Sequence, residues 1–275
     1  MTQPNKMTIG DVEITAVSDG LLTMPADRVI GMTGAEVARR MGRSDGKVAL
    51  EVNSFLVKRD GGHDLVDAGC GNTAGPTLGK QADNLRALGV DPGSIRRVFL
   101  THFHPDHSNG LIDGEGKAVY PNAEVFAHAD EARFWIDDDL PAGASDMMIN
   151  GKHNTLRAMA AYPDRLTRVT DGEVLPGVAA ILQSGHTPGH TGWLFQSRGA
   201  GILIWGDIVH LAAIQVAEPD AAMTFDYDPA NARAARKRTF DRVAADKLLV
   251  AGAHLDFPGF GTITRNGSGY RYETV

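Results

Sequence analysis

V-F-L-T-H-F-H-P-D-H-S-N-G, running from Val98 to Gly110, decides how the rest of the chain is read. A short apolar run ends at Leu100. Three histidines and one aspartate then fall within six positions: His102, His104, Asp106 and His107. A lone histidine after a strand is ordinarily structural or at the surface. Four such groups packed together are costly to bury without a partner, because each desolvated polar group must be satisfied. Imidazole and carboxylate without thiolate suit zinc, or manganese, cobalt or iron. His102 and His104 lie two apart, so on an extended segment they point the same way. Asp106 and His107 come just beyond, where a helix can begin and turn both toward a second ion.

The pattern recurs outward from this stretch. Asp67 follows D-L-V, in D-A-G; His186 follows V-A-A-I-L-Q, in S-G-H-T-P-G-H; Asp207 follows I-L-I-W, in G-D; His254 follows L-L-V, in A-G-A-H. Ligand-type residues therefore sit repeatedly at the C-terminal ends of apolar strands, where neighbouring ends converge and crevices form. His102, His104, Asp106, His107, His186, Asp207 and His254 are too many for one tetrahedral ion. They fit two divalent ions about 3.5–4 Å apart, with one carboxylate bridging.

The remaining chain supplies strands and helices to carry these ends. Val12 to Val17 reads as a first strand, and Asn53–Lys58 and Asp64–Asp67 flank an R-D-G-G turn as a hairpin. Leu78, Ala82, Leu85 and Leu88 recur at helical spacing before Gly89. Arg97–Leu100 and Ala123–His128 are strands, and A-D-E-A-R-F-W-I is a helix after the second. Residues 137–152, rich in Asp, Gly and Met without a clear period, read as a long loop. Strands follow at Leu166–Val169 and Val178–Gln183, then a hairpin of Trp193–Gln196 and Ile202–Trp205. Asp228-Pro229 caps a helix reaching about Ala245; Leu248–Val250 is a strand and the tail a final hairpin. Many strands in each half, each half with helices, predict an α+β fold: an αββα sandwich of two mixed sheets flanked by helices. No linker or charge block divides the sequence, so residues 1–275 read as a single domain.

Composition sets the outer bounds. The chain has 275 residues, 43% hydrophobic and 22% charged, as a globular protein does. A formal charge of −7 argues against nonspecific binding to nucleic acid or anionic membranes. With one cysteine, Cys70, no internal disulfide and no thiolate-rich zinc site can form. Cys70 reads as a small buried filler. The N-terminus has no apolar core of a leader, and no run is long enough to span a bilayer, so a cytoplasmic location is expected.

T-H-F-H-P-D-H at Thr101–His107 resembles the metal motif of the metallo-β-lactamase-fold hydrolases. D-A-G at Asp67, G-H-T-P-G-H at His186, G-D at Asp207 and the terminal His254 follow in that family's order. The resemblance covers almost the whole chain. It implies that His102, His104 and His186 hold the first ion, that Asp106, His107 and His254 hold the second, and that Asp207 bridges them. Asp67 would orient a ligand histidine. G-D-I-V-H-L-A-A-I-Q and A-G-A-H-L-D-F-P-G-F-G look like the branch containing methyl parathion hydrolase, related organophosphorus hydrolases and lactonases. One group of acyl-homoserine lactonases in the family has a tyrosine three residues after the bridging aspartate; here that position is His210, so their tyrosine-assisted mechanism does not carry over unchanged.

The implied chemistry is hydrolysis of a lactone, aryl ester or organophosphotriester. Two ions, zinc first among the candidates, would lower the pKa of a bridging water from about 15.7 toward ~7, and the resulting hydroxide would attack. Asp106 and His210 are the catalytic candidates: Asp106 would carry a proton to the leaving group, and His210 would support a metal ligand or form part of the pocket wall. His190 reads equally as structural or as support for the site. His63, His128 and His153 read as structural or solvent-facing, and Phe134 and Trp135 as core or pocket wall. The expected partner is a small molecule, with no nucleic acid and no membrane, and a homodimer is common among similar proteins. A glyoxalase-type thioesterase or a one-iron sulfur dioxygenase shares the fold and stands as the alternative.

Overall fold

A computed structural model describes residues 5–73 and 75–275. Among the described residues, fourteen strands pair into two sheets of seven. The first sheet runs in chain order: β1 (Lys6–Ile9), β2 (Val12–Pro25), β3 (Lys47–Arg59), β4 (Gly62–Val66), β5 (Ile95–Phe99), β6 (Glu124–His128) and β7 (Leu166–Val169). The second holds β8 (Gly172–Leu175), β9 (Val178–Leu182), β10 (Thr191–Ser197), β11 (Ala200–Ile204), β12 (Leu249–Ala251), β13 (Phe260–Asn266) and β14 (Gly269–Thr274). Both are mixed: β4, β5, β6 and β7 pair in parallel, as do β11 and β12, and the other pairs are antiparallel.

Alternation along the strands builds the layers. Phe99 on β5, Trp193 and Phe195 on β10, and Ile202 and Ile204 on β11 join Ile14, Phe55 and Phe260 in the core between the sheets. Their neighbours Val98, Leu194 and Leu203 face outward and meet helices instead. The helices are α1 (Gly34–Arg40), α2 (Gln81–Ala87), α3 (Pro105–Ser108), α4 (Ala129–Ala132), α5 (Asp146–Ala160), α6 (Ala212–Gln215) and α7 (Pro229–Ala245). Leu85 of α2 and Ala158 of α5 pack on the first sheet; Ala235, Phe240 and Val243 of α7 pack on the second. The αββα sandwich expected from the sequence is the observed architecture. Trp193 fastens its two halves beside the site by donating its indole N–H to the Leu100 carbonyl at 3.0 Å.

One expected loop is a helix. Residues 138–145 are irregular, but α5 begins at Asp146, with the Ser145 hydroxyl accepting from the Met148 N–H at 3.3 Å. Its buried positions are Gly151, Thr155 and Ala158, four and three apart. The helical period is present but is carried by small residues, so it leaves no apolar signal. Gly151 is small for a reason: a Cβ there would lie 2.9 Å from the Trp135 ring. After α4 the chain widens into a π turn over Arg133–Asp137, which sets Phe134 and Trp135 toward the site.

The start of α7 matches the expectation from Asp228-Pro229. The Asp228 carboxylate accepts from the Ala230 and Asn231 N–H groups, each at 3.0 Å, and Pro229 opens the helix. Asp228→Ala should cost about 1 kcal/mol, the usual effect of losing an N-cap. It should shift the urea midpoint down with an unchanged m-value.

Candidate metal centre

Five strand ends deliver the site. Asp67 follows β4, His102 and His104 follow β5, His186 follows β9, Asp207 follows β11 and His254 follows β12. His104 is the residue before α3, whose first turn carries Asp106 and His107, with Pro105 fixing the start. All seven residues expected as ligands converge at one edge of the sandwich. His102, His104, His186 and Asp207 form one set of ligand atoms within 4.8 Å of one another; Asp106, His107 and His254 form a second.

Asp207 lies between them. Its Oδ1 faces His107 Nε2 at 3.1 Å and His254 Nε2 at 3.3 Å. Its Oδ2 faces His186 Nε2 at 3.2 Å and His102 Nε2 at 3.7 Å. Each oxygen thus addresses a different set. His254 Nε2 also lies 3.4 Å from Asp106 Oδ2, and His104 Nδ1 lies 2.9 Å from His186 Nε2.

A second ring of contacts fixes the imidazoles. Asp67 Oδ2 lies 2.8 Å from His107 Nδ1, and its oxygens also accept from the Thr101 N–H and hydroxyl. Asp226 Oδ1 lies 2.9 Å from His186 Nδ1. His254 Nδ1 donates to the Glu51 carbonyl at 2.7 Å, and His102 Nδ1 lies 3.0 Å from the Thr101 hydroxyl. In each case the Nδ1 partner turns Nε2 toward Asp207. His190 supports from behind, its Nε2 accepting the Asp207 N–H at 2.9 Å. Gly206 permits that approach: its φ is +56°, and a Cβ there would lie 2.6 Å from His190 Nε2. His210 Nε2 sits 3.1 Å from Asp207 Oδ2, with its ring stacked on His254 at 5.2 Å.

The cluster is electrostatically unfinished without cations. Burial opposes charge on His186 and His254, yet Asp207 and their carboxylate hydrogen bonds raise them to about 9 and about 10. Burial and the neighbouring imidazoles hold His102 well down and His104 and His190 at about 3. Against the cost of burial, the surrounding histidines hold the Asp106 and Asp207 carboxyls well below the usual carboxylate range. His102 Nε2, His107 Nε2 and Asp207 Oδ1 are buried without a hydrogen-bond partner. Such orphans cost about 1–3 kcal/mol each, and a bound cation satisfies them. The donor set, nitrogen and carboxylate oxygen only, fits divalent zinc, manganese, cobalt or iron.

Beside the imidazole–carboxylate cluster opens a cavity of about 640 Å³. His104 and His186 form its floor, and Phe134, Trp135, Met148, Phe225 and Tyr227 line its walls. Of the other expectations, Cys70 is buried, His128 caps α4 by accepting the Asp130 N–H, His63 is half-buried and His153 exposed. Sequence reasoning passed over Asp226, Thr101 and the Glu51 carbonyl. Asp226 stands in T-F-D-Y-D, beside a second acid and after no strand, so no local signal marks it.

A sandwich of mixed sheets with imidazoles and carboxylates gathered at its strand ends is the frame of a metal-binding protein. The model of the metallo-beta-lactamase superfamily matches residues 48–254, and the chain belongs to that superfamily. A crystal structure of the hydrolase AbOPH, of the beta-lactamase superfamily, superposes with a TM-score of 0.92 at 31% identity, over 98% of this chain and 96% of that one. AidC, a dizinc quorum-quenching lactonase in complex with a product homoserine, superposes with a TM-score of 0.89 at 26% identity, with the same coverage. The N-acyl homoserine lactonase AttM of Agrobacterium fabrum (strain C58 / ATCC 33970) is 26% identical over 166 residues, 53% of this chain. That match spans 59% of the relative's length. These findings support a hydrolase. Among the described residues no helix is long and apolar enough to cross a membrane.

Proposed function

We propose that the chain, acting as one domain of residues 1–275, is a two-metal hydrolase of small esters and lactones, with phosphotriester cleavage as a secondary activity. The observation that carries the reading is Asp207, whose two oxygens each face a separate set of imidazoles. Such a carboxylate suits a bridge between two divalent ions, zinc first, with His102, His104 and His186 on one and Asp106, His107 and His254 on the other. When bound, the ions supply Lewis acidity and a water acidic enough to ionise near neutral pH.

The chain's own residues do the rest. Asp106, whose side chain is 18% exposed where that of Asp207 is buried, is ionised and can take a proton from the attacking water and hand it to the departing oxygen. His210, buried and outside the cavity lining, holds Asp207 Oδ2 through Nε2 and keeps a buried Nδ1 without a partner, so it orients the bridge from behind. Phe134, Trp135 and Phe225 exclude water from the substrate's apolar part. These walls fit the acyl or aryl portion of an ester or lactone better than the polar, anionic body of glutathione. The relatives act on homoserine lactones by their names, which favours a lactone. A cytoplasmic location and a homodimer complete the proposal.

Elemental analysis of protein purified without added metal tests it, together with a substrate panel on the same sample. The panel holds an aryl ester, a γ-lactone, an acyl-homoserine lactone, two phosphotriesters and a glutathione thioester. Near two ions per chain, with lactone and ester hydrolysis lost on chelation, is the expected result. One iron per chain without hydrolysis points instead to the sulfur dioxygenase, and dominant thioester cleavage to the glyoxalase type. Light scattering on that sample reads the homodimer.

A further inference from the structure

Glu131, on α4, has no side chain reaching the ligand cluster, yet it is fully buried. Its carboxylate takes four donors. Oε1 accepts the Phe103 N–H at 3.0 Å and the Trp135 indole N–H at 2.7 Å. Oε2 accepts the Thr187 hydroxyl at 2.7 Å and the Gly189 N–H at 2.9 Å. Both oxygens are placed as acceptors, two donors to each.

The places of those donors matter. Phe103 lies between His102 and His104, and Thr187 follows His186. One carboxylate therefore ties the β5 end in the first sheet to the β9 end in the second. Asp106 and His107 on α3, and His254 after β12, receive none of its bonds. Gly189 lets the loop come this close, since a Cβ there would lie 2.1 Å from the Glu131 nitrogen. The same carboxylate fixes Trp135, whose ring lies 5.8 Å from that of His104 and lines the cavity.

We propose that Glu131 is a positioning residue for one ion alone: it sets the spacing of His102, His104 and His186, and with them the Trp135 wall, while leaving the Asp106, His107 and His254 set untouched. The inference rests on the two-ion reading above. Glu131→Gln is the probe, because it keeps size and removes one acceptor. Either amide orientation turns its NH₂ against a backbone N–H, that of Phe103 or that of Gly189, and neither can rotate away.

The experiment is a zinc titration against a competing chelator, with circular dichroism to check the fold. It compares Glu131→Gln in the wild type, in His254→Ala, which retains the first set, and in His104→Ala, which retains the second. Zinc affinity should fall about 10-fold or more in the His254→Ala background, the scale on which supporting partners act. It should change less than about 3-fold in the His104→Ala background. An equal loss in both backgrounds, or none in either, overturns the inference. Should Glu131→Gln not fold, Thr187→Val decides in the same way, with a several-fold loss confined to the His254→Ala background as the expected result. A wild type that takes up fewer than two ions fails the two-metal reading instead, so the two failures are distinguishable.

Discussion

Asp207→Ala is expected to release both ions together and to lower kcat/KM by more than about 10³-fold, roughly 4 kcal/mol of transition-state stabilisation. Single histidine variants should each weaken one ion. Asp207 differs because its Oδ1 and Oδ2 serve opposite sets, at 3.1 Å from His107 and 3.2 Å from His186. It is also the anion that lets five buried imidazoles share one cavity; without it, His102, His107, His186, His210 and His254 face one another across a gap. Elemental analysis and initial rates on the folded variant check this. A variant that keeps two ions would remove the bridge from the mechanism, whatever happened to the rate.

Asp106→Asn should cost about 10²–10⁴-fold in kcat, the range of a lost general acid or base. The size of the loss should depend on the leaving group. An aryl ester expels a phenolate that needs little help, whereas a lactone expels an alkoxide that must be protonated. The lactone should therefore suffer the larger loss. Asp106 is suited to this because its side chain keeps 18% exposure while His107 and His254 lie 3.5 and 3.4 Å from its Oδ2. Rates for one aryl ester and one lactone, with metal content measured on both proteins, provide the check. Equal losses on the two substrates would leave Asp106 as a ligand only.

Much of this site was legible before any coordinates, for a definite reason. Apolar strands such as Val98–Leu100 and Ile202–Trp205 are easy to find, and a histidine or aspartate directly after one is placed by the strand itself. The imidazoles and carboxylates in these positions converge on one cluster. Glu131 and Asp226 were illegible because the partners that tie them to the site are 28 to 58 residues away, Phe103, Thr187 and Gly189 for the first and His186 for the second. The same holds for the fold. The cap pair Asp228-Pro229 announced α7, whereas α5 buries glycine, threonine and alanine, and the edge strands β1 and β8 bury one residue at most. Periodicity reports large apolar side chains; it is silent where packing uses small ones or the strand faces water.

The first ligand set draws on both sheets: His102 and His104 come from the ends of one, His186 and Asp207 from the ends of the other. An ion held there is a cross-link between the two halves of the molecule. By mass action, free metal at 100 times its dissociation constant adds about 2.7 kcal/mol to folding stability, and 1,000 times adds about 4.1. The melting temperature of this protein should then report the metal activity of its surroundings. Scarcity of metal would silence the chain twice, by emptying the site and by loosening the seam on which the site is built.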